Sequence, residues 1–188
     1  MGIARNIARL IPNGSGLLPN ANIEAMAASK LTGQVPDANA PSGSVIQVIQ
    51  GASSGLSAAG TSFPNFANRA TLCTVSITPT SSSSEIFLIY SGYFYPYDAS
   101  PSNSNQVGMI GVICRNGTPI TGQNGWQIQV SVGTTYTYYG MQTFSILDSP
   151  GTGSQITYTF GVYNWAGNNA SVQLRETSGY LVAMEIRS

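Results

Sequence analysis

The sequence contains no histidine. That removes Ser–His and Cys–His nucleophile systems and the commonest metal ligand. Charge is almost as scarce. Lys, Arg, Asp and Glu make up 7% of the 188 residues and sum to zero net charge, where an average protein carries about 25% charged residues. Seven scattered basic residues form no basic stripe, so nucleic acid is not an expected partner. No apolar run approaches the ~20 residues of a membrane span, so no membrane partner is expected either. A surface with so few charges to desolvate is easy to bury against copies of itself.

Other chemistry is thin as well. The two cysteines, Cys73 and Cys114, sit in strand-like apolar runs. They read as small buried hydrophobes, with a disulfide across a sheet as the alternative. Neither has the spacing of a metal site, and no metal or cofactor is expected. There are seven carboxylates: Glu24, Asp37, Glu85, Asp98, Asp148, Glu176 and Glu185. A glycosidase needs two that converge, and Asp98 with Asp148 is the pair to check, both being in loops. Asp148-Ser149-Pro150-Gly151 reads as a turn, with Asp148 capping backbone N–H groups. GSG at Gly14–Gly16 and GTGS at Gly151–Ser154 lack the Lys of a phosphate loop. The expectation is a protein that is not an enzyme.

What the chain has is strands. Thr71–Tyr97, TLCTVSITPTSSSSEIFLIYSGYFYPY, reads as two strands joined by a polar turn, and these form the expected central pair. Cys73, Val75 and Ile77 alternate with Thr74, Ser76 and Thr78, the period of a strand with one buried face. Pro79 ends that strand because it has no N–H for a ladder. Ile86–Tyr90 is a continuous apolar run, as for a central strand covered on both faces. Further strands are expected at Val45–Ile49, Val107–Cys114, Trp126–Val132, Met141–Leu147, Gln155–Tyr163, Ser171–Arg175 and Tyr180–Arg187. Arg115–Thr118, RNGT, has the Asn-Gly step of a tight turn. About nine short strands with regular breaks predict an all-β fold, an antiparallel β-sandwich that is jelly-roll-like.

Residues 1–43 differ. Ile3, Ile7, Leu10 and Ile11 recur at helical spacing, with Arg5 and Arg9 one turn apart. Arg5, Asn6 and Arg9 interrupt any signal-peptide core. A second short helix is expected over NIEAMAASKL, with Ile23, Met26 and Leu31 on one side. The prediction is a short, partly helical N-terminal arm and linker over 1–43, followed by a sandwich over 44–188. The arm is too short for a core of its own, so its apolar stripes need a partner surface.

Aromatics are the one concentrated resource. Tyr90, Tyr93, Phe94, Tyr95 and Tyr97 form one group, Tyr136, Tyr138 and Tyr139 a second, and Trp165 with Tyr163 a third. Their apolar faces and polar tips suit a glycan-contacting patch, or packing between subunits around a threefold axis.

Taken together, LTGQVPDANAPSGSVIQVIQ, SITPTSSSSEIFLIYS (read as a hairpin), FSILDSPGTGSQITYTFGVY and the ending LVAMEI resemble the small β-sandwich modules of tailed bacteriophages. Such modules occur at fibre and tailspike tips and as capsid-surface decoration, or cement, proteins. The resemblance covers residues 44–188 and part of the linker. It implies a homotrimer on the virion surface and supplies no catalytic residues. With 43 residues before the sandwich and no heptads or shaft repeats among them, the expectation is a capsid cement protein whose arm (Ile3, Arg5, Ile7, Arg9, Leu10, Ile11, Ile23, Met26, Leu31) binds the major capsid protein. The alternative is the receptor-binding tip of a tail fibre or tailspike, which would contact a host cell-surface glycan.

Overall fold

In the computed structural model the described residues are 40–59, 63–94, 97–98, 106–131, 140–164 and 172–188. The expected arm helices lie outside them. Eleven strands run in order: β1 Val45–Ala52, β2 Leu56–Ala59, β3 Ala70–Ile77, β4 Glu85–Phe94, β5 Tyr97–Asp98, β6 Gln106–Arg115, β7 Thr118–Pro119, β8 Trp126–Ser131, β9 Gly140–Asp148, β10 Ile156–Asn164 and β11 Val172–Ile186. One sheet has the order β1-β11-β4-β9, with β2 and β5 also paired to β11. The second has the order β3-β10-β6-β7, with β8 paired to the same edge of β6 as β7, along the first half of β6. Every pairing is antiparallel. With the short β2, β5 and β7 set aside, the eight principal strands form two four-stranded sheets, β1-β11-β4-β9 and β3-β10-β6-β8, as in a jelly roll. The all-β sandwich expected from the alternating pattern is the observed fold.

The core lies between the sheets. Tyr90 of β4 stacks on Phe160 of β10, with ring centroids 3.6 Å apart. Phe144 of β9 stacks on Trp126 of β8 at 5.2 Å. Ile77, Ile86, Leu88, Met109, Ile113 and Leu181 are fully buried around this aromatic seam. A second, smaller cluster covers the outer face of the second sheet. There Ile110, Val112, Cys114 and Tyr163 pack under Phe63 and Phe66.

Three expectations are corrected. β3 and β4 are not a hairpin and not a central pair. β3 pairs with β10 in one sheet, while β4 lies between β11 and β9 in the other. The polar stretch between them is a crossover from sheet to sheet. It is held by Glu185, whose Oε1 accepts from Thr80 N and Thr80 Oγ1, both at 2.7 Å. Nor is β4 covered on both faces, because its side chains alternate between buried and half-buried. Burial on both sides is found instead in the second sheet, over residues 108–114 of β6 and 160–164 of β10. Finally, the last two expected strands are one, β11, of 15 residues. A register shift between Glu176 and Ser178 marks the bulge that had looked like a break.

The Asn-Gly turn forms as expected. Asn116 and Gly117 have φ of 48° and 85°, the positive pair that a two-residue hairpin turn requires. Asn116 also accepts from Thr157 N through Oδ1 and donates its own N–H to Thr157 O, which extends the β6–β10 ladder into the turn.

Candidate functional site

The structure places the predicted site residues unevenly. Ile3, Arg5, Ile7, Arg9, Leu10, Ile11, Ile23, Met26 and Leu31 lie outside the described residues, as do Tyr95, Tyr136, Tyr138, Tyr139 and Trp165. Tyr97 is in β5, where its backbone pairs with Gln173. Tyr93 is half-buried on the outer face of the first sheet, opposite Met141 of β9. Other aromatics of the same sequence groups are core: Tyr90 and Phe94 are fully buried, and Tyr163 nearly so, its hydroxyl donating to Gln123 O at 2.7 Å. Burial raises the Tyr90 and Tyr163 hydroxyls above the usual range.

Asp98 and Asp148 do not converge. Asp98 pairs with Val172 at one end of β11. Asp148 pairs with Ile86, itself opposite Glu185 near the other end. Those ends are about 40 Å apart at ~3.3 Å per residue. Asp148 is also not a turn cap. It holds an ion pair with Arg115 of β6, Nη1 to Oδ1 at 3.0 Å. It further accepts from Tyr158 of β10 at 2.6 Å. The group ties the two sheets together at one end of the sandwich. Burial first, and then the bonded Asp148 carboxylate, push the Tyr158 hydroxyl up.

Two further carboxylates that seemed unremarkable in the sequence are buried. Glu176 is 2% exposed; it accepts from Ser53 Oγ at 2.7 Å and from Tyr90 Oη at 3.2 Å. Glu185 is fully buried and, besides Thr80, accepts from Gln47 Nε2 at 2.6 Å. Burial alone would raise its pKa. The bonds from Ser84, Gln47 and Thr80 outweigh that and hold it below the usual value. Glu185 joins β11 to the crossover, and Glu176 joins β11 to β4 and to the loop between β1 and β2; each is a buried polar group with its partners in place. The two cysteines are free and buried on opposite faces of the second sheet, Cys73 in the main core and Cys114 in the smaller cluster. The reading as small hydrophobes holds, and the disulfide does not form.

The feature that the fold assembles and that no short motif announced is the outer face of the first sheet. Directly paired residues of an antiparallel ladder share a face. One row across the sheet is Val48, Met184, Phe87 and Leu147; the next is Gln50, Val182, Ile89 and Ser145; a third is Ala52, Tyr180, Ser91 and Thr143. Tyr93 and Met141 follow at one end, and Val45, Ile186 and Glu85 at the other. Among the described residues, the large hydrophobics that are at least half exposed are Val45, Val48, Met141, Leu147 and Tyr180, and all five are on this face. Alternation marks Met141 and Leu147 of β9 as outward-pointing, whereas Val45 and Val48 share a face only through the bulge between Val45 and Gln47. Only the strand order shows that the five adjoin.

No family model matches the chain, and neither does any curated protein. Similar solved structures include dimeric latent PorU from Porphyromonas gingivalis, at 10% identity and a TM-score of 0.29 over 77% of this chain and 14% of that one. Others are a chain of the T13 IBDV viral particle, at 12% identity and 0.35 over 73% and 30%, and a chain of infectious bursal disease virus, Gx strain, at 16% identity and 0.33 over 75% and 32%. The chain spans less than a third of each of them. Identities and scores this low leave function to be argued from the chain itself.

Proposed function

We propose that this chain is a structural virion protein, a homotrimeric cement protein on the outer capsid surface of a tailed phage. Residues 1–43 bind the major capsid protein and the sandwich projects outward. The protein performs no catalysis and takes no cofactor. The observation that carries this reading is a jelly roll whose described residues pack into a continuous core, with Ile77, Leu88, Tyr90 and Phe160 at its centre. On this reading the apolar stripes of the arm are left to a partner surface. Jelly rolls recur in viral capsid and lectin domains. That is a fold-level analogy, and it adds to the phage-module resemblance of residues 44–188. Three arms on one trimer bind multivalently, so weak docking by each gives firm retention.

The test is deletion of residues 1–43. The truncated protein is expected to stay folded and trimeric and to fail to bind empty particles. Decoration at wild-type occupancy would overturn the assignment of the arm. A second reading, a receptor-binding tip on a tail fibre or tailspike, draws on Tyr93 beside the exposed Met141. Cryo-EM of the parent particle separates the two. Copies spread over the capsid lattice support cement, and a few copies at the tail support the tip.

A further inference from the structure

We propose that the outer face of the β1-β11-β4-β9 sheet is covered by a second copy of this chain. The proposal deepens the homotrimer reading by naming where the copies meet. It rests on that reading for the number of copies alone.

The composition of the face is that of an interface. Its two central strands supply Met184 and Phe87 as an apolar ridge, extended by Val48 and Leu147 at either side and by Tyr180 and Met141 further along. Polar residues such as Gln50, Ser145 and Thr143 flank the ridge, and Thr143 shares a hydrogen bond with Ser91 at 3.1 Å. An apolar centre with a polar rim is the anatomy of a protein–protein contact.

Size and charge select the occupant. Four strands at ~4.8 Å spacing, and eight residue steps at ~3.3 Å from Glu85 to Tyr93, give a face of about 500 Å². Two copies bury about 1,000 Å², the lower bound of a specific interface. Among the described residues of the face the one charge is Glu85, at its end, where it accepts from Ser149 Oγ at 3.1 Å. A charged partner finds nothing to pair with across the middle. A neighbouring copy carries charge on only 7% of its residues, so it has few charges to leave unpaired against that middle, and closed symmetry stops the contact from propagating.

The experiment uses the full chain and its Val48→Glu and Tyr180→Glu variants, with circular dichroism to verify the fold and light scattering against concentration to read assembly. Val48 and Tyr180 are half exposed, so the variants are expected to fold. Their dissociation constants are expected to rise by at least about tenfold. Hydroxyl-radical footprinting of the wild type is expected to show Met141 protected when assembled and oxidised when dilute. A wild-type trimer with unweakened variants and an oxidised Met141 would overturn the face and leave the trimer reading standing. A wild-type dimer dissociated by the variants would support the face and overturn the trimer. A wild-type monomer would overturn both and assign the face to another occupant, such as the capsid surface.

Discussion

Tyr90 of β4 reaches across the inside of the first sheet to donate its hydroxyl hydrogen bond to the buried carboxylate of Glu176 in β11. The bond spans the bulge of β11, because Glu176 lies on one side of the register shift and the residues facing Tyr90 on the other. Among its described partners Glu176 has only this bond and that of Ser53. Tyr90→Phe is therefore expected to cost about 1–3 kcal/mol, the range for leaving a buried polar group short of a partner. Urea unfolding of Tyr90→Phe, Glu176→Gln and the double variant reads the coupling. An interaction energy of about 0.5–3 kcal/mol is expected; strictly additive losses would contradict the bond.

The same hydroxyl sits over two paired glycines, Gly92 and Gly179. A Cβ on Gly92 would overlap the Tyr90 hydroxyl, and one on Gly179 would lie 2.6 Å from Glu176 Oε1 as well. Gly179→Ala is expected to lose about 1–3 kcal/mol through overpacking. For a unit of this size that lowers Tm by roughly 2–4 °C per kcal/mol. Tyr90→Phe removes the closest of the overlapping atoms and leaves Glu176 Oε1. Combined with Gly179→Ala it is expected to cost less than the two losses summed. A sum or more in thermal denaturation would place the cost in the contact with Glu176 or in the backbone rather than in the hydroxyl.

The strands were legible because one-sided burial writes period two into the residues, as in Cys73, Val75 and Ile77 or Ile156, Tyr158 and Phe160. The turn at Asn116-Gly117 was legible because few residues accept two positive φ angles in succession. The partner of each strand was not. β3 and β4 are neighbours in sequence, joined by the kind of polar stretch that closes hairpins, yet they belong to opposite sheets. What separates them is the carboxylate of Glu185, more than a hundred residues downstream, bonded to Thr80. Glu185 itself stands in an apolar run, LVAMEI, where period two is silent and cannot say which way it points. The outer apolar face was missed for the same reason, since Val48, Met184, Phe87 and Leu147 come from four strands and meet only through strand order.

Cys73 and Cys114 give a direct check on the core. Burial, with Glu176 nearby, pushes the Cys73 thiol up to about 11. Burial also raises Cys114, although Arg69 and Thr159 pull it back. At pH 8 only about one Cys73 in a thousand would be thiolate even if reagent could reach it. A chromogenic disulfide reagent is expected to find no rapidly reacting thiol in the native protein and two in concentrated guanidinium without reductant. Fewer than two after unfolding would mean that a disulfide exists, and rapid native labelling would mean that one sandwich face opens readily.

The last prediction concerns acid. Glu185 is the buried carboxylate whose pKa is held down, against the upward push of its burial, by bonds from Ser84, Gln47 and Thr80. Its folded value lies below the ordinary 4.5. A carboxyl lowered by folding contributes stability that is complete above its unfolded pKa and is lost as pH falls through the folded one. The protein is therefore expected to hold its stability at neutral pH and to lose it progressively below about 4.5, where the unfolded chain takes up protons that the folded one resists. Protonation puts a hydrogen where Thr80 N–H, Thr80 hydroxyl or Gln47 now donates, so one of the bonds that fix the β3–β4 crossover must break. Glu185→Gln keeps the shape but carries no titrating proton. It is expected to be less stable than the wild type at pH 7, with the difference shrinking as pH falls from 4.5 toward 3. Urea midpoints for both proteins across that range measure the gap. A gap that stays constant, or widens in acid, would show that the Glu185 carboxylate does not anchor the crossover in its charged form.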